Sequence, residues 1–233
     1  MGKRIIQQAR GKGSLTYQVR SKAFTKEIMY PRKAEKATII AIVHSAAHSA
    51  PLAKLKTSEG ITYVPAFEGA FVEQEIMIGE NAPPVVGNTL PLGMIPLATQ
   101  IFNIERNPGD GGKFTRTAGS FATVLKKIEN GFVIIVMPNK NQITLNPNCR
   151  ATIGRIAGDG RILKPFMTAG KKHYKMKARN KLWPRTSAVK VNAVDHPFGS
   201  GRGKRIKQKI AKRNAPPGAK VGHIRPSRTG KRK

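Results

Sequence analysis

Of the 43 lysines and arginines in this 233-residue chain, 21 stand in residues 171–233, where Asp195 is the single acid. That imbalance limits what the stretch can become. Side chains of one sign repel one another in any compact arrangement, and the segment has few large apolar groups to offset its ordering entropy. It is expected to stay extended and mobile until something anionic orders it. The charge is segregated elsewhere too: residues 1–36 carry 10 basic and 2 acidic side chains, 37–82 carry 2 and 5, and 83–170 carry 10 and 4. A formal net charge of +31 calls for a polyanion, and nucleic acid is the default partner. At 6% aromatics, base stacking has few rings to work with, so phosphate contacts should dominate.

The middle of the chain differs in kind. Short apolar or alternating runs recur at 37–43, 61–64, 71–78, 100–105, 120–126, 132–137, 142–145 and 150–156, rich in Ile, Val, Phe and Thr. Gly, Asn and Pro clusters punctuate them, among them Asn107-Pro108-Gly109-Asp110-Gly111-Gly112. Asn130-Gly131 supplies the positive φ angles of a tight turn, so Lys126 to Met137 reads as a hairpin. No window of helical length keeps a 3.6-residue period, and no internal repeat of solenoid length is present. The expected fold is therefore all-β: two small barrels at 37–82 and 83–165, a basic extension at 1–36 and an extended basic tail at 166–233. The charge-free stretch 81–104 holds four prolines, which excludes a spanning helix there, and no secretory signal is expected at the start.

Candidate chemistry is thin. His44 and His48 have the i,i+4 spacing of a metal pair, but no third ligand lies near, so no metal is expected. Cys149 lacks a partner base and reads as a structural thiol of a reducing compartment. Gly199-Ser200-Gly201-Arg202-Gly203-Lys204 resembles a phosphate loop, yet Arg205 stands where Ser or Thr would bind the metal of a nucleotide. Beyond residue 82 the acids are scattered, which argues against two-metal or paired-carboxylate hydrolysis. The chain is read as a binding protein rather than an enzyme, with no cofactor and no small-molecule substrate.

What remains is the basic surface. Lys171, Lys172, Tyr174, Lys175, Lys177, Arg179, Lys181, Trp183 and Arg185 mix point charges, forked guanidinium groups and stackable rings within 15 residues, a combination suited to folded RNA. With almost no acids to pair with, a free helix here would repel itself. Further candidate RNA contacts are Arg4, Arg10, Lys12, Arg20 and Lys22 near the start, and Arg116, Arg155 and Arg161 in the middle. Asp195, His196, Arg202, Lys204 and Arg205 complete the set in the tail.

Eight motifs in order resemble one family. They are Ala50-Pro51-Leu52-Ala53-Lys54, Gly87-Asn88-Thr89-Leu90-Pro91-Leu92-Gly93, Pro108-Gly109-Asp110-Gly111-Gly112 and Ala118-Gly119-Ser120-Phe121-Ala122. Then follow Arg150-Ala151-Thr152-Ile153-Gly154, Gly160-Arg161-Ile162-Leu163-Lys164-Pro165, Trp183-Pro184-Arg185 and Val194-Asp195-His196-Pro197-Phe198-Gly199. The chain resembles, from end to end, the universal large-subunit ribosomal protein two in its archaeal and eukaryotic form. The resemblance implies an OB-fold barrel followed by an SH3-like barrel, with arms threaded into large-subunit rRNA of the cytoplasmic ribosome. It also implies neighbouring ribosomal proteins, a bridge to small-subunit rRNA, and roles in subunit joining and tRNA placement near the peptidyl-transferase region. His196 matches a histidine for which a part in peptide-bond formation is contested. Around it the chain departs from the family pattern at Ser187-Ala188, at Ala193 and at Ser200, and Phe198 stands where bacterial members often have a second histidine.

Overall fold

A computed structural model of the chain describes every residue but 1, 25, 34, 129, 205–209, 212, 217 and 225–233, and for 22, 35, 223 and 224 the backbone alone. It divides into two compact units: Ser21–Ala169, and Met1–Arg20 together with Gly170–Lys233.

The fold is all-β in its larger unit, and alternation is what builds it. In β1 (Glu35–Val43) Ala37 and Ile39 are buried while Ile40 and Ile42 are exposed, the two-residue period of a strand with one covered face. Antiparallel pairing sets Ile39 opposite Leu55 of β2 (Leu52–Thr57) and Ala37 opposite Ile76 of β4 (Glu75–Ile78), so buried side chains meet in register. β3 (Gly60–Pro65) continues from β2 as a hairpin. β4 joins β5 (Thr89–Pro91) by a parallel contact, and β5 lies beside β10 (Arg150–Ile153). Then come β6 (Gln100–Phe102), β7 (Ala122–Lys127), β8 (Val133–Val136) and β9 (Gln142–Leu145). The ten strands form one sheet in the order β3-β2-β1-β4-β5-β10-β6-β7-β8-β9, whose end strands β3 and β9 are not paired with each other, so it is open.

Two cores line this sheet. The first gathers Ile39, Leu55, Val64, Phe67, Ile76 and Ile78, with Phe102, Ala118 and Ile156 contributed from later in the chain. The second gathers Leu90, Leu92, Ile95, Ile101, Val124, Val133, Ile135 and Cys149. At roughly 1.5–3 kcal/mol per buried aliphatic side chain, these clusters supply the unit's driving force. Between them runs a polar seam: the Tyr30 hydroxyl donates to the Asn103 carbonyl at 2.8 Å and meets Thr152 Oγ1 at 2.7 Å, which in turn meets Thr89 Oγ1 at 3.0 Å.

The Pro108-Gly109-Asp110-Gly111-Gly112 loop is folded around two carboxylates. Glu105 has no exposed side-chain surface and accepts from the backbone N–H groups of Gly109, Gly111 and Arg150 and from Nε and Nη2 of Arg150. Asp110 accepts from the N–H groups of Arg106, Asn107 and Gly112. Only glycine fits at 112, where φ is +89° and a Cβ would lie 2.4 Å from Asn103 Oδ1.

Several sequence expectations change. The run 71–78 is a strand only from Glu75; before it Phe71 is exposed and the Gln74 carboxamide oxygen accepts from the Phe71 N–H. β2 was not expected from the apolar runs, whereas β5 is a short strand within 81–104, a stretch that reads as turns and short strands. The absence of helix is also corrected, by α1 (Ile6–Gly11) and α2 (Ala169–Ala178). Neither helix buries a residue, which is why no apolar period announces it. The Asn130-Gly131 hairpin is present, with Gly131 at φ +80° and β7 antiparallel to β8. Among the described residues no helix is long and apolar enough to cross a membrane.

Candidate nucleic-acid interface

The second unit holds most of the charge. Its residues include 26 lysines and arginines against Asp195 alone, whereas its buried apolar side chains among the described residues are Phe198, Ala211 and Val221. Such a unit is short of core and long on cations. Specific polar bonds hold what is ordered.

Asn180 is central to it. It sits at φ +45° just past α2, its N–H bonded to the Lys177 carbonyl at 3.0 Å and that of Lys181 to the Met176 carbonyl at 2.9 Å, the paired bonds of a Schellman ending. Its side-chain amide donates to the carbonyls of Thr16 (3.1 Å) and Gln18 (2.7 Å), and its own carbonyl accepts from Arg10 Nη2. The Arg10 guanidinium also lies 5.2 Å from the Tyr17 ring centroid. The two ends of the chain are thus pinned together at one residue. Sequence reading missed Asn180; the available signal was an Asn placed directly after a basic helix.

On α2, His173 meets the ring of Tyr174 at 5.5 Å and that of Trp183 at 6.3 Å, edge to face, and Lys172 Nζ lies 5.9 Å from the Trp183 centroid. Tyr174 is exposed, so the cluster offers a base a face to stack on. Lys171, Lys175, Lys177, Arg179 and Lys181 share this segment, with Arg185 after the Trp183-Pro184 pair.

His196 lies in a closed turn. The N–H groups of Asp195 and His196 reach the Asn192 carbonyl at 3.0 and 3.2 Å, that of Gly199 reaches the His196 carbonyl at 2.8 Å, and that of Ser200 reaches the Val191 carbonyl at 2.9 Å. A Cβ at Gly199 would come within 2.6 Å of the Val191 and Asn192 backbone, so this turn admits no larger residue. The ring itself is fixed: Nδ1 accepts the Phe198 N–H at 3.1 Å, and the two rings are 5.1 Å apart. With Nδ1 accepting, the neutral imidazole carries its proton on Nε2 and presents a donor. Burial pushes its pKa below the ordinary imidazole value. Arg4, Tyr17, Asp195 and His196 border one cavity of about 420 Å3.

Other candidates are placed apart. Lys12 caps the end of α1, and Arg20 closes the N-terminal stretch of this unit. Arg116, Arg155 and Arg161 belong to the β unit. There Arg116 Nη1 donates to the Gly112 carbonyl at 3.1 Å, and Arg155 is paired with Glu68, through Nη2 at 2.8 Å, and with Asp159. Arg202 and Lys204 are described, Lys22 by its backbone alone, and Arg205 falls outside the described residues.

Among the described residues no three His, Cys, Asp or Glu side chains gather to hold a metal; His48 Nδ1 is 2.7 Å from Ser45 Oγ and its ring meets Phe24 edge-on. Cys149 is buried, and burial pushes its thiol up to about 11, which makes it a poor nucleophile.

The family model for Ribosomal Proteins L2, C-terminal domain, matches residues 85–218. Over its whole length the chain is similar to proteins named large ribosomal subunit protein uL2. It is 45% identical to that of Methanococcoides burtonii over 238 residues and 45% identical to that of Archaeoglobus fulgidus over 238 residues, covering 100% of each chain in both cases. With that of Natronomonas pharaonis the identity is 44% over 238 residues, covering 99% of this chain and 97% of the relative.

Proposed function

The chain belongs to the large ribosomal subunit protein uL2 family, and on that premise we propose that it is a structural, rRNA-binding component of the large subunit of the cytoplasmic ribosome. One observation carries the reading: the unit built from both chain ends concentrates the basic residues while burying almost nothing of its own. Phosphate neutralisation supplies what that unit lacks in core. It acts in translation by binding and positioning.

The finer parts of the reading rest on the same features. Two core clusters on one sheet support an OB-type barrel over about 37–82 followed by an SH3-like barrel over about 83–165. The basic extension at 1–36 and the tail at 166–233 are the rRNA-threading parts. Neighbouring ribosomal proteins, a bridge to small-subunit rRNA and tRNA placement near the peptidyl-transferase region complete the role. His196 is assigned to positioning: Nδ1 is engaged by Phe198, which leaves a donor, not a base, for its surroundings.

The test is co-sedimentation. A tagged chain expressed in cells should remain on large subunits after a high-salt wash that strips loosely adsorbed basic proteins. Complete loss into the wash, with intact subunits, would overturn the reading.

A further inference from the structure

The β unit holds an open cavity of about 830 Å3, walled by the segment before β1, the end of β4 and the turn after it, Pro91, and the start of β10. None of its walls includes a residue that the sequence singled out for RNA contact. Its chemistry is unlike the rest of this chain. Lys36 Nζ is 2.6 Å from Glu75, and Arg150 Nη2 is 3.0 Å from the buried Glu105, so two of its cations are already neutralised. Exposed Glu80 and Arg32 remain and offset one another. A cavity with so little net charge, in a chain of +31, is not built for a cluster of phosphates.

It is suited to something flat and neutral with polar edges. Met29 and Met77 present thioethers, which make favourable contacts with aromatic rings, and Pro91 adds an apolar face. The exposed amides of Asn81 and Asn148 have no side-chain partner among the described residues. An amide offers a donor and an acceptor side by side, the pattern that pairs with a base edge. Arg150 is held rigid by Glu105 and by the Pro31 carbonyl at 2.6 Å, with its guanidinium 5.3 Å from the Tyr30 centroid. These bonds use three of its five N–H donors. The Arg32 guanidinium has no intramolecular partner among the described residues and can meet one phosphate.

We propose that this cavity receives a single unpaired ribonucleotide, its base between the methionines with its edge on Asn81 and Asn148, and its phosphate on Arg32. The inference rests on the reading of the chain as an RNA-binding protein, and it names a base-reading site in a protein otherwise held by phosphate contacts. The volume lies within the range of sites that enclose a small ligand, about 300–1,000 Å3.

The probe is the full chain carrying 13C-methyl methionine, titrated with the four ribonucleosides, their 5′-monophosphates and inorganic phosphate. The expected result is saturable movement of the Met29 and Met77 methyls, in the millimolar range, by at least one nucleoside and more tightly by its monophosphate. The exposed Met94 and Met167 methyls, elsewhere on the chain, should stay in place. Asn81→Ala and Asn148→Ala should each weaken binding about tenfold. Arg32→Gln should weaken the monophosphate and leave the nucleoside unchanged. All three side chains are exposed, and the other methyl signals report whether each variant is folded. The proposal is overturned if no nucleoside moves the two methyls, if all exposed methyls move alike, or if inorganic phosphate reproduces the shifts. Addition of large-subunit rRNA separates the two levels. RNA that binds tightly without moving Met29 and Met77 sinks the cavity alone, as would a cavity that takes a neighbouring protein's peptide instead. RNA that does not bind sinks the functional reading as well.

Discussion

Glu105 and His196 illustrate how much of this protein is decided by the partners that single side chains meet. The Glu105 carboxylate is fully buried and holds both the glycine loop and Arg150, whose side chain is only 16% exposed. Replacing one partner of a buried pair leaves the other uncompensated. Glu105→Gln is therefore expected to cost about 3 kcal/mol in urea unfolding followed by circular dichroism. A loss below about 1 kcal/mol would mean that the pair behaves like an exposed one. His196 makes a pH-dependent contribution of defined sign. Its pKa is lowered in the folded chain, so above the ordinary imidazole value of about 6.5 both states are neutral and nothing is lost. As pH falls below that value the unfolded chain takes up the proton first, and the turn is destabilised until the folded value is passed. In an NMR titration the His196 ring should titrate below the ordinary imidazole value; titration at or above that value would contradict the packing described. The residues after His196 suggest a tight turn followed by flexible backbone; the turn is present, but its ring is held more firmly than the glycines implied. Gly199 is there for close approach to Val191 and Asn192 instead. Nor could Asn180 or Glu105 be read in advance, since their roles depend on Thr16, Gln18 and Arg150, 30 or more positions away.

Among the elements, strands written as apolar runs were legible, and one that alternates apolar side chains with lysines was missed. Gln142–Leu145 was read with its observed bounds, and the β7–β8 hairpin followed from Asn-Gly chemistry. β2 was overlooked because Lys54 and Lys56 interrupt its apolar run, although Leu52, Ala53 and Leu55 are buried. α2 was overlooked for the opposite reason. A helix that buries nothing has no apolar stripe to betray it, and its lysines at i and i+4, Lys171 and Lys175, oppose it by a few tenths of a kcal/mol. Its Ala, Lys, Met and Arg content still favours helix. The proposed function makes this helix a phosphate-binding element, and its share can be counted. Substituting Lys171, Lys172, Lys175 and Lys177 together by Gln is expected to reduce the salt slope of RNA binding by about 3, at 0.7–0.9 per lost phosphate contact. An unchanged slope would place α2 away from the RNA.

For the whole molecule, the uneven distribution of charge was the most legible feature, and the division into units follows it closely. Ser21–Ala169 carries 17 basic and 11 acidic residues around two cores, whereas the terminal unit carries 26 and 1. Sequence alone treated the two ends as separate arms. Their joining through Asn180 and Arg10 spans more than 160 positions, a separation at which no local pattern carries information. On the proposed function, that terminal unit holds the protein on large-subunit rRNA mainly by neutralising phosphates. The most direct measurement is the affinity of the full chain for large-subunit rRNA across a range of salt concentrations. Log affinity is expected to fall linearly with log salt, with a slope of several units, as 0.7–0.9 per phosphate requires. A nearly flat line at high affinity would mean that base or shape readout dominates, and would contradict it.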